Sequence, residues 1–338
     1  MTMSTLNSNA AFIDQFGRSK RKLRISVTDR CNFKCVYCMP EHPEWMKKHQ
    51  LLSFEALYQF CKFMVQRGIE HIRITGGEPL MRQGVVHFIA ELQKLRPLGL
   101  QQISMTSNGH YLKKYAKDLK LAGLDNLNIS LDSLNATQFE QLTQKQLAPV
   151  LEGIQAALAV ELPVKINTVL MKDENEDQII PLVQWAKDLR IPLRFIEFMP
   201  LDGDRRWTAE HVVSEQQILT TLATKFDLVS KTDQTRSPAR QYFVDGHPVG
   251  IISTITHAFC GECDRVRLTA QGEFYNCLFA TQGLALKQEI ELLETEMTGS
   301  YQALEQKLSS YIWNKKAGFH AIQAQQAVRK ISMHMIGG

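Results

Sequence analysis

Between Lys22 and Pro200 the chain repeats one rhythm: a short segment with apolar residues at every second place, then a longer one with apolar residues at helical spacing. The alternating segments are KLRISV (22–27), HIRIT (71–75), QISMT (102–106), LNISLD (127–132), VKINTVL (164–170) and LRFIEF (193–198). In the first, Leu23, Ile25 and Val27 fall on one face of a strand. Phe54, Leu57, Met64 and Val65 mark an intervening helix. Strands alternating with helices predict a parallel sheet with crossover helices, and six such units fit a barrel or an incomplete barrel better than a small doubly wound domain. The fold class expected is therefore α/β, an incomplete (β/α)6-type TIM barrel. Polar and glycine-rich residues gather at the strand ends, at 75–79, 106–109, Ser130 with Asp132, and 197–200, so chemistry is expected at that rim.

After Leu201 the rhythm changes to DGDRRW, a helix-like stretch, the hairpin-like RQYFVDGHPVG (240–250) and an amphipathic C-terminal helix. The organisation expected is an approach segment at 1–20, the barrel at 21–201, and a smaller C-terminal domain at 202–338 closing the barrel mouth. The RSKRK run at 18–22 reads as a solvated lead-in to the first strand.

With 338 residues, 44% of them apolar, the chain is long enough for a substantial core. Its formal charge of +4 is small, and its Lys and Arg are scattered, which argues against nucleic-acid binding. No apolar run approaches the roughly 20 residues of a membrane helix and the N-terminus lacks an apolar signal core, so no membrane association and a cytoplasmic location are expected. Seven cysteines, six of them in two tight groups, point to metal or redox use rather than disulfides. The seventh, Cys61, lies on the apolar helical face of Phe54 and Leu57 and reads as a buried thiol.

Cys31, Cys35 and Cys38 follow the first strand in the spacing C-x3-C-x2-C, with no fourth thiol beside them. A structural zinc ion asks for four ligands, with His42 or a distant residue as the fourth; a 4Fe–4S cube on three thiolates keeps one iron open for chemistry. Cys260, Cys263 and Cys277 form a second group, C-x2-C-x13-C, for which a Cys3His zinc site with His257 and a second open-iron cluster are both readings. Arg24, Arg73, Lys165 and Arg194 place cations within four apolar strands, which calls for buried ion pairs or an anionic ligand.

The first trio, with Tyr37 before its last cysteine and TGGEPL (75–80) one strand later, resembles the radical S-adenosylmethionine (SAM) superfamily. The ordered set LRISVTDRCNFKCVYCMP, IRITGGEP, TSNG, NISLDSL, VKINTV, FIEFMPLDG, FCGECDRVRLTAQGEFYNCLF and a terminal IGG is similar to the GTP 3',8-cyclase family of molybdenum cofactor biosynthesis. That resemblance implies two 4Fe–4S clusters, on Cys31, Cys35 and Cys38 and on Cys260, Cys263 and Cys277, with the second facing the first across the barrel mouth. It implies a deoxyadenosyl radical that takes H3' of GTP, so that C3' attacks C8 and reduction yields the 3',8-cyclo-7,8-dihydro nucleotide. It further implies SAM contacts from Tyr37, Gly77, Ser130 and Met199, and GTP contacts from Arg24, Arg73, Thr106, Lys165, Arg265, Val266 and Arg267, with Arg194 and Asn167 as further candidates. The same resemblance gives Arg265, Arg267, Gly337 and Gly338 a part in the radical step. It also implies a homodimer, a flavodoxin-like electron donor and a downstream cyclic pyranopterin monophosphate synthase. His71 stands where the family usually has Lys. The competing readings are another radical SAM enzyme with an auxiliary cluster and a zinc-stapled binding protein.

Overall fold

The computed structural model of the chain describes residues 11–201, 207–231, 238–295, 299–323 and 332–337. All six expected strands form: β1 (Lys22–Ser26), β2 (His71–Thr75), β3 (Gln102–Ser107), β4 (Asn126–Ser130), β5 (Val164–Leu170) and β6 (Leu193–Glu197). They lie side by side in chain order, each parallel to the next. The crossovers run through α1 (Phe54–Gln66), α2 (Val85–Leu92), α3 (Leu112–Leu121), α4 (Ala136–Thr143), α5 (Ala148–Ala159) and α6 (Ile179–Asp188), giving the α/β partial barrel. Alternation decides which face is which. Leu23, Ile25, Ile72 and Ile74 are wholly buried in the main core, as are Leu57, Phe60, Cys61 and Met64 of α1, while Arg24, Arg73 and Lys165 occupy intervening strand positions. Ser53 starts α1 by accepting the Ala56 N–H at 2.8 Å.

The later strands are β7 (Leu228–Ser230), β8 (Arg240–Val244), β9 (His247–Ile252), β10 (Arg265–Leu268), β11 (Glu273–Tyr275) and β12 (Leu284–Ala285). With them come α7 (Glu215–Ala223), α8 (Lys287–Leu292), α9 (Ser300–Trp313), α10 (Phe319–Gln323) and α11 (Met333–Ile336). The expected hairpin is β8–β9, turning on Asp245 and Gly246 at φ +46° and +78°. These strands extend the barrel's own sheet. β10 pairs parallel with β1 and β9 pairs parallel with β6, in one sheet of order β12-β11-β10-β1-β2-β3-β4-β5-β6-β9-β8-β7. Both edges of the six-stranded array are thereby covered by strands with fully buried apolar residues, Val249 and Ile251 on one side and Val266 and Leu268 on the other.

The solvated reading of RSKRK holds for Arg21 and Lys22, whose side chains are 50% and 36% exposed, and is corrected for Arg18, 8% exposed, and Lys20, fully buried. Both bond the buried Asp14 carboxylate, each at 2.7 Å, and both reach backbone carbonyls of the second cysteine loop. Partners of this kind repay the loss of water around a buried cation.

Candidate active site

Cys31, Cys35 and Cys38 leave the C-terminal end of β1 as free thiols. Burial pushes all three thiols up, Cys31 to about 11, and Cys35 and Cys38 also raise through their proximity to the other thiols. Cys31 Sγ accepts N–H bonds from Phe33 at 3.4 Å and from Asn108 Nδ2 at 3.7 Å. Asn108 is fixed in turn by Glu78, whose buried carboxylate accepts from Asn108 N (2.7 Å), Leu80 N (3.1 Å) and Ser107 Oγ (3.0 and 3.1 Å). Burial pushes Glu78 up to about 7 despite these donors. The two glycines before it answer to a close approach: a Cβ on Gly76 would lie 2.6 Å from the Thr28 carbonyl oxygen, and one on Gly77 2.4 Å from that of Arg30. Tyr37 donates its hydroxyl to Asp132 at 2.6 Å, and Asp132 also accepts from Val169 N at 2.9 Å. Burial lifts the Asp132 carboxyl to about 6. Ser130 ends β4 beside Asn167 of β5.

Below this loop the register lines up the expected anion contacts. Arg24 pairs with Arg73 on one side and Arg267 on the other; Thr106, Asn128 and Lys165 form a second row; Asn167 pairs with Arg194. Burial, then Arg267, Arg73 and Arg265, push Arg24 far down; burial, Arg194 and Arg265 bring Arg73 to about 10. Lys165 is lowered by burial, Arg194 and Arg73. These cations work against one another. Three polar atoms in the same rows, Thr106 Oγ1, Asn128 Oδ1 and Asn167 Oδ1, are buried without a hydrogen-bond partner. A buried orphan costs about 1–3 kcal/mol, so a ligand-facing role explains their retention better than a structural one.

The second group stands at the other end of the strands, which corrects the expected arrangement across the mouth. Cys260 and Cys263 precede β10, whose Arg265 is in register with Lys22 at the start of β1, and Cys277 follows β11, which runs antiparallel to β10. Burial raises the Cys263 thiol, but Arg265 and Lys315 outweigh it and hold the group at about 6. His257 Nδ1 lies 3.2 Å from Glu215 Oε2, so the side chain that the Cys3His alternative needs as its fourth ligand is engaged with a carboxylate. A Cβ on Gly318 would lie 2.9 Å from Cys260 Sγ, a close approach that leaves the sulfur uncovered by side chain at that side. Among the described residues no three His, Cys, Asp or Glu side chains gather tightly enough for a single metal ion. A four-iron cube, with iron at separate corners, asks its thiolates for wider spacing, and the free thiols, their N–H donors and their cations fit such a group.

Other expected residues are placed as follows. Met199 packs with Leu201, Phe279 and Phe319 beside Cys260 and Cys277, while its neighbour Phe198 shares a cluster with Tyr37. Val266 buries its side chain in the main core, leaving only backbone for the barrel interior. Gly337, at φ +81°, accepts a hydrogen bond from Arg267 Nη1, and a Cβ there would meet Thr75 Oγ1 at 2.0 Å. Gly338 lies outside the described residues. His71 Nδ1 is 2.8 Å from Gln102 Oε1. Sequence reasoning passed over Asn128, Glu78 and Lys315. Asn128 was findable, since period-two alternation puts it on the face of Ser130.

A partial barrel carrying this cysteine loop defines a radical SAM protein. The Radical SAM superfamily model matches residues 25–186, and the Molybdenum Cofactor Synthesis C model matches 191–321. Solved structures agree on the fold: SuiB of Streptococcus suis bound to S-adenosylmethionine aligns at TM-score 0.61 and 14% identity, over 88% of this chain and 69% of that one. Curated relatives are closer. The GTP 3',8-cyclase of Streptomyces coelicolor is 42% identical over 314 residues, 90% of each chain. That of Staphylococcus aureus is 36% identical over 338 residues, 96% of this chain and 98% of its own. The chain belongs to the GTP 3',8-cyclase family, radical SAM enzymes of molybdenum cofactor biosynthesis that use iron–sulfur clusters and S-adenosylmethionine.

Proposed function

We propose that this chain converts GTP to the 3',8-cyclo-7,8-dihydro nucleotide, with SAM as co-substrate, and that the cation rows between the two cysteine groups are the GTP site. The observation that carries the site assignment is the lumen itself: cations from neighbouring strands, with burial and one another as the main influences on Arg73 and Lys165, beside three orphaned polar atoms. Arg24, Arg73, Arg265, Arg267 and Lys165 match a triphosphate in charge and in forked donors, and Thr106, Asn128 and Asn167 offer polar atoms to the nucleoside. Cys31, Cys35 and Cys38 would hold one cluster and Cys260, Cys263 and Cys277 the other. When bound and reduced, the first supplies an electron to SAM and so a deoxyadenosyl radical. Tyr37, Gly77 and Ser130 line the SAM side, and Met199, assigned to SAM with them, packs against Leu201, Phe279 and Phe319. Gly337, held by Arg267 against Thr75, excludes water at the radical's path, and Gly338, outside the described residues, is assigned to the same step.

This reading brings with it a homodimer in the cytoplasm, a flavodoxin-like donor, and a cyclic pyranopterin monophosphate synthase that consumes the product. Among the described residues no helix is long and apolar enough to cross a membrane. The test is anaerobic incubation of cluster-loaded protein with GTP, SAM and dithionite, read by mass spectrometry. Deoxyadenosine and a GTP isomer, the isomer lost in Cys277→Ser, are expected. Deoxyadenosine without a GTP-derived product would move the substrate elsewhere, and no deoxyadenosine from a loaded sample would overturn the chemistry.

A further inference from the structure

Three buried cations converge on the second cysteine group from outside the GTP rows. Arg18 Nη1 donates to the Cys260 carbonyl at 2.7 Å, and Lys20 Nζ to the Cys263 carbonyl at 2.9 Å. Lys315, 2% exposed, donates to the Asn276 carbonyl just before Cys277, and its Nζ is 3.5 Å from Cys263 Sγ. Each thiol's backbone is thus gripped by a different cation. The carboxylate bonded to this set is Asp14, 1% exposed, which takes Arg18 Nε and Lys20 Nζ, both at 2.7 Å. Three positive charges against one negative leave the surroundings of three thiolates net cationic, in a place shielded from salt.

We infer that Arg18, Lys20 and Lys315 are positioning residues that hold the second cysteine loop and raise the reduction potential of the cluster it carries, with Asp14 setting the limit of that effect. The inference rests on the reading that the second group holds a cluster. A cluster that accepts one electron gains one negative charge, and buried cations a few ångströms away favour that state while a buried carboxylate opposes it. The brace comes from the N-terminal segment and the residues after α9, so it ties the redox state of one group to two distant stretches of chain.

The experiment is an anaerobic redox titration of the two-cluster protein followed by electron paramagnetic resonance. The first cluster, recognised by the change of its signal with SAM, is the internal control. In Lys20→Met the reduced-to-oxidised ratio of the second cluster at a fixed potential is expected to fall about tenfold, ~59 mV for a one-electron couple, with the first cluster unmoved. Lys20→Arg restores it. Asp14→Asn, which keeps the Oδ1 bonds from Phe16 N and Arg18 N, shifts it the opposite way. A merely structural brace predicts the same direction for both changes or none, and either result with loaded clusters overturns the inference. If Lys20→Met fails to load, Lys315→Met takes its place: a fall there beside a rise in Asp14→Asn supports the inference, and any other pair overturns it. Wild-type protein without a second cluster overturns the cyclase reading as well, whereas loaded wild type with an unmoved variant overturns this inference alone.

Discussion

Glu78 offers the most direct quantitative test of how the site is built. It is fully buried, and burial lifts its carboxyl from the ordinary value of 4.5 to about 7. The folded protein therefore holds more protons than the unfolded chain between those values, so stability falls as pH rises through the window. The contribution is fully present below the unfolded pKa and is lost above the folded one. Carried through the linkage relation, the loss between about pH 5 and pH 8 is on the order of 2–3 kcal/mol. Asp132, lifted from 3.8 to about 6 by burial, adds a loss of the same sign centred lower. Urea unfolding of the cluster-free protein across this range measures the slope. Glu78→Gln is neutral at every pH, so it removes Glu78's share of the slope, although it lowers stability overall by weakening the bonds from Leu80, Ser107 and Asn108. An unchanged slope in Glu78→Gln would show that the three donors, not burial, govern the carboxylate, and the reasoning would be refuted.

Further outcomes follow from the same geometry. Asn167→Leu replaces an orphaned buried amide oxygen with carbon, so unfolding free energy should rise by about 1–3 kcal/mol while GTP affinity, measured by calorimetry, falls. GTP should raise the melting temperature, with about 2.7 kcal/mol of added stability at a hundredfold excess over Kd, and the half-buried cations of the strands predict that this survives 0.5 M KCl better than a surface site would. Gly337→Ala sets a methyl against Thr75 Oγ1 at a positive φ and should cut product formation more than tenfold, read by the same mass spectrometry.

The barrel strands were legible because period-two alternation is strong where one strand face meets helices: β1 to β6 appear within about two residues of the segments read from the pattern. The thiol groups were legible from spacing, and the inward cations from being charges inside apolar strands. Illegible were features that depend on distant partners. Nothing local in RSKRK says that Arg18 and Lys20 are buried, since their carbonyl acceptors lie more than 240 residues away along the chain. Lys315 looks like an ordinary helix-end lysine until the Asn276 and Cys263 contacts are seen. The position of the second cysteine group was illegible for the same reason, because β10 is only four residues long and its pairing partner opens the barrel.

That one pairing decides the site. β1 and β10 run parallel, the first cysteine group leaves the far end of β1, and the second enters the near end of β10, so the two strands set the distance between the groups. At about 3.3 Å per residue, the five residues of β1 span about 17 Å, room for a nucleotide along the axis. A one-residue slip would turn Arg265 and Arg267 to the helix side and bring Val266 and Leu268 inward, removing anion contacts and unburying apolar surface together. The register is held on both counts: Val266 and Leu268 are fully buried, and Arg21 N and Lys22 N both bond the Asp264 carbonyl at 3.0 Å. The same clamp that Lys20 continues toward Cys263 therefore aligns the cations that face the substrate, and a change in residues 14–22 should reach both cluster and substrate through one strand pair.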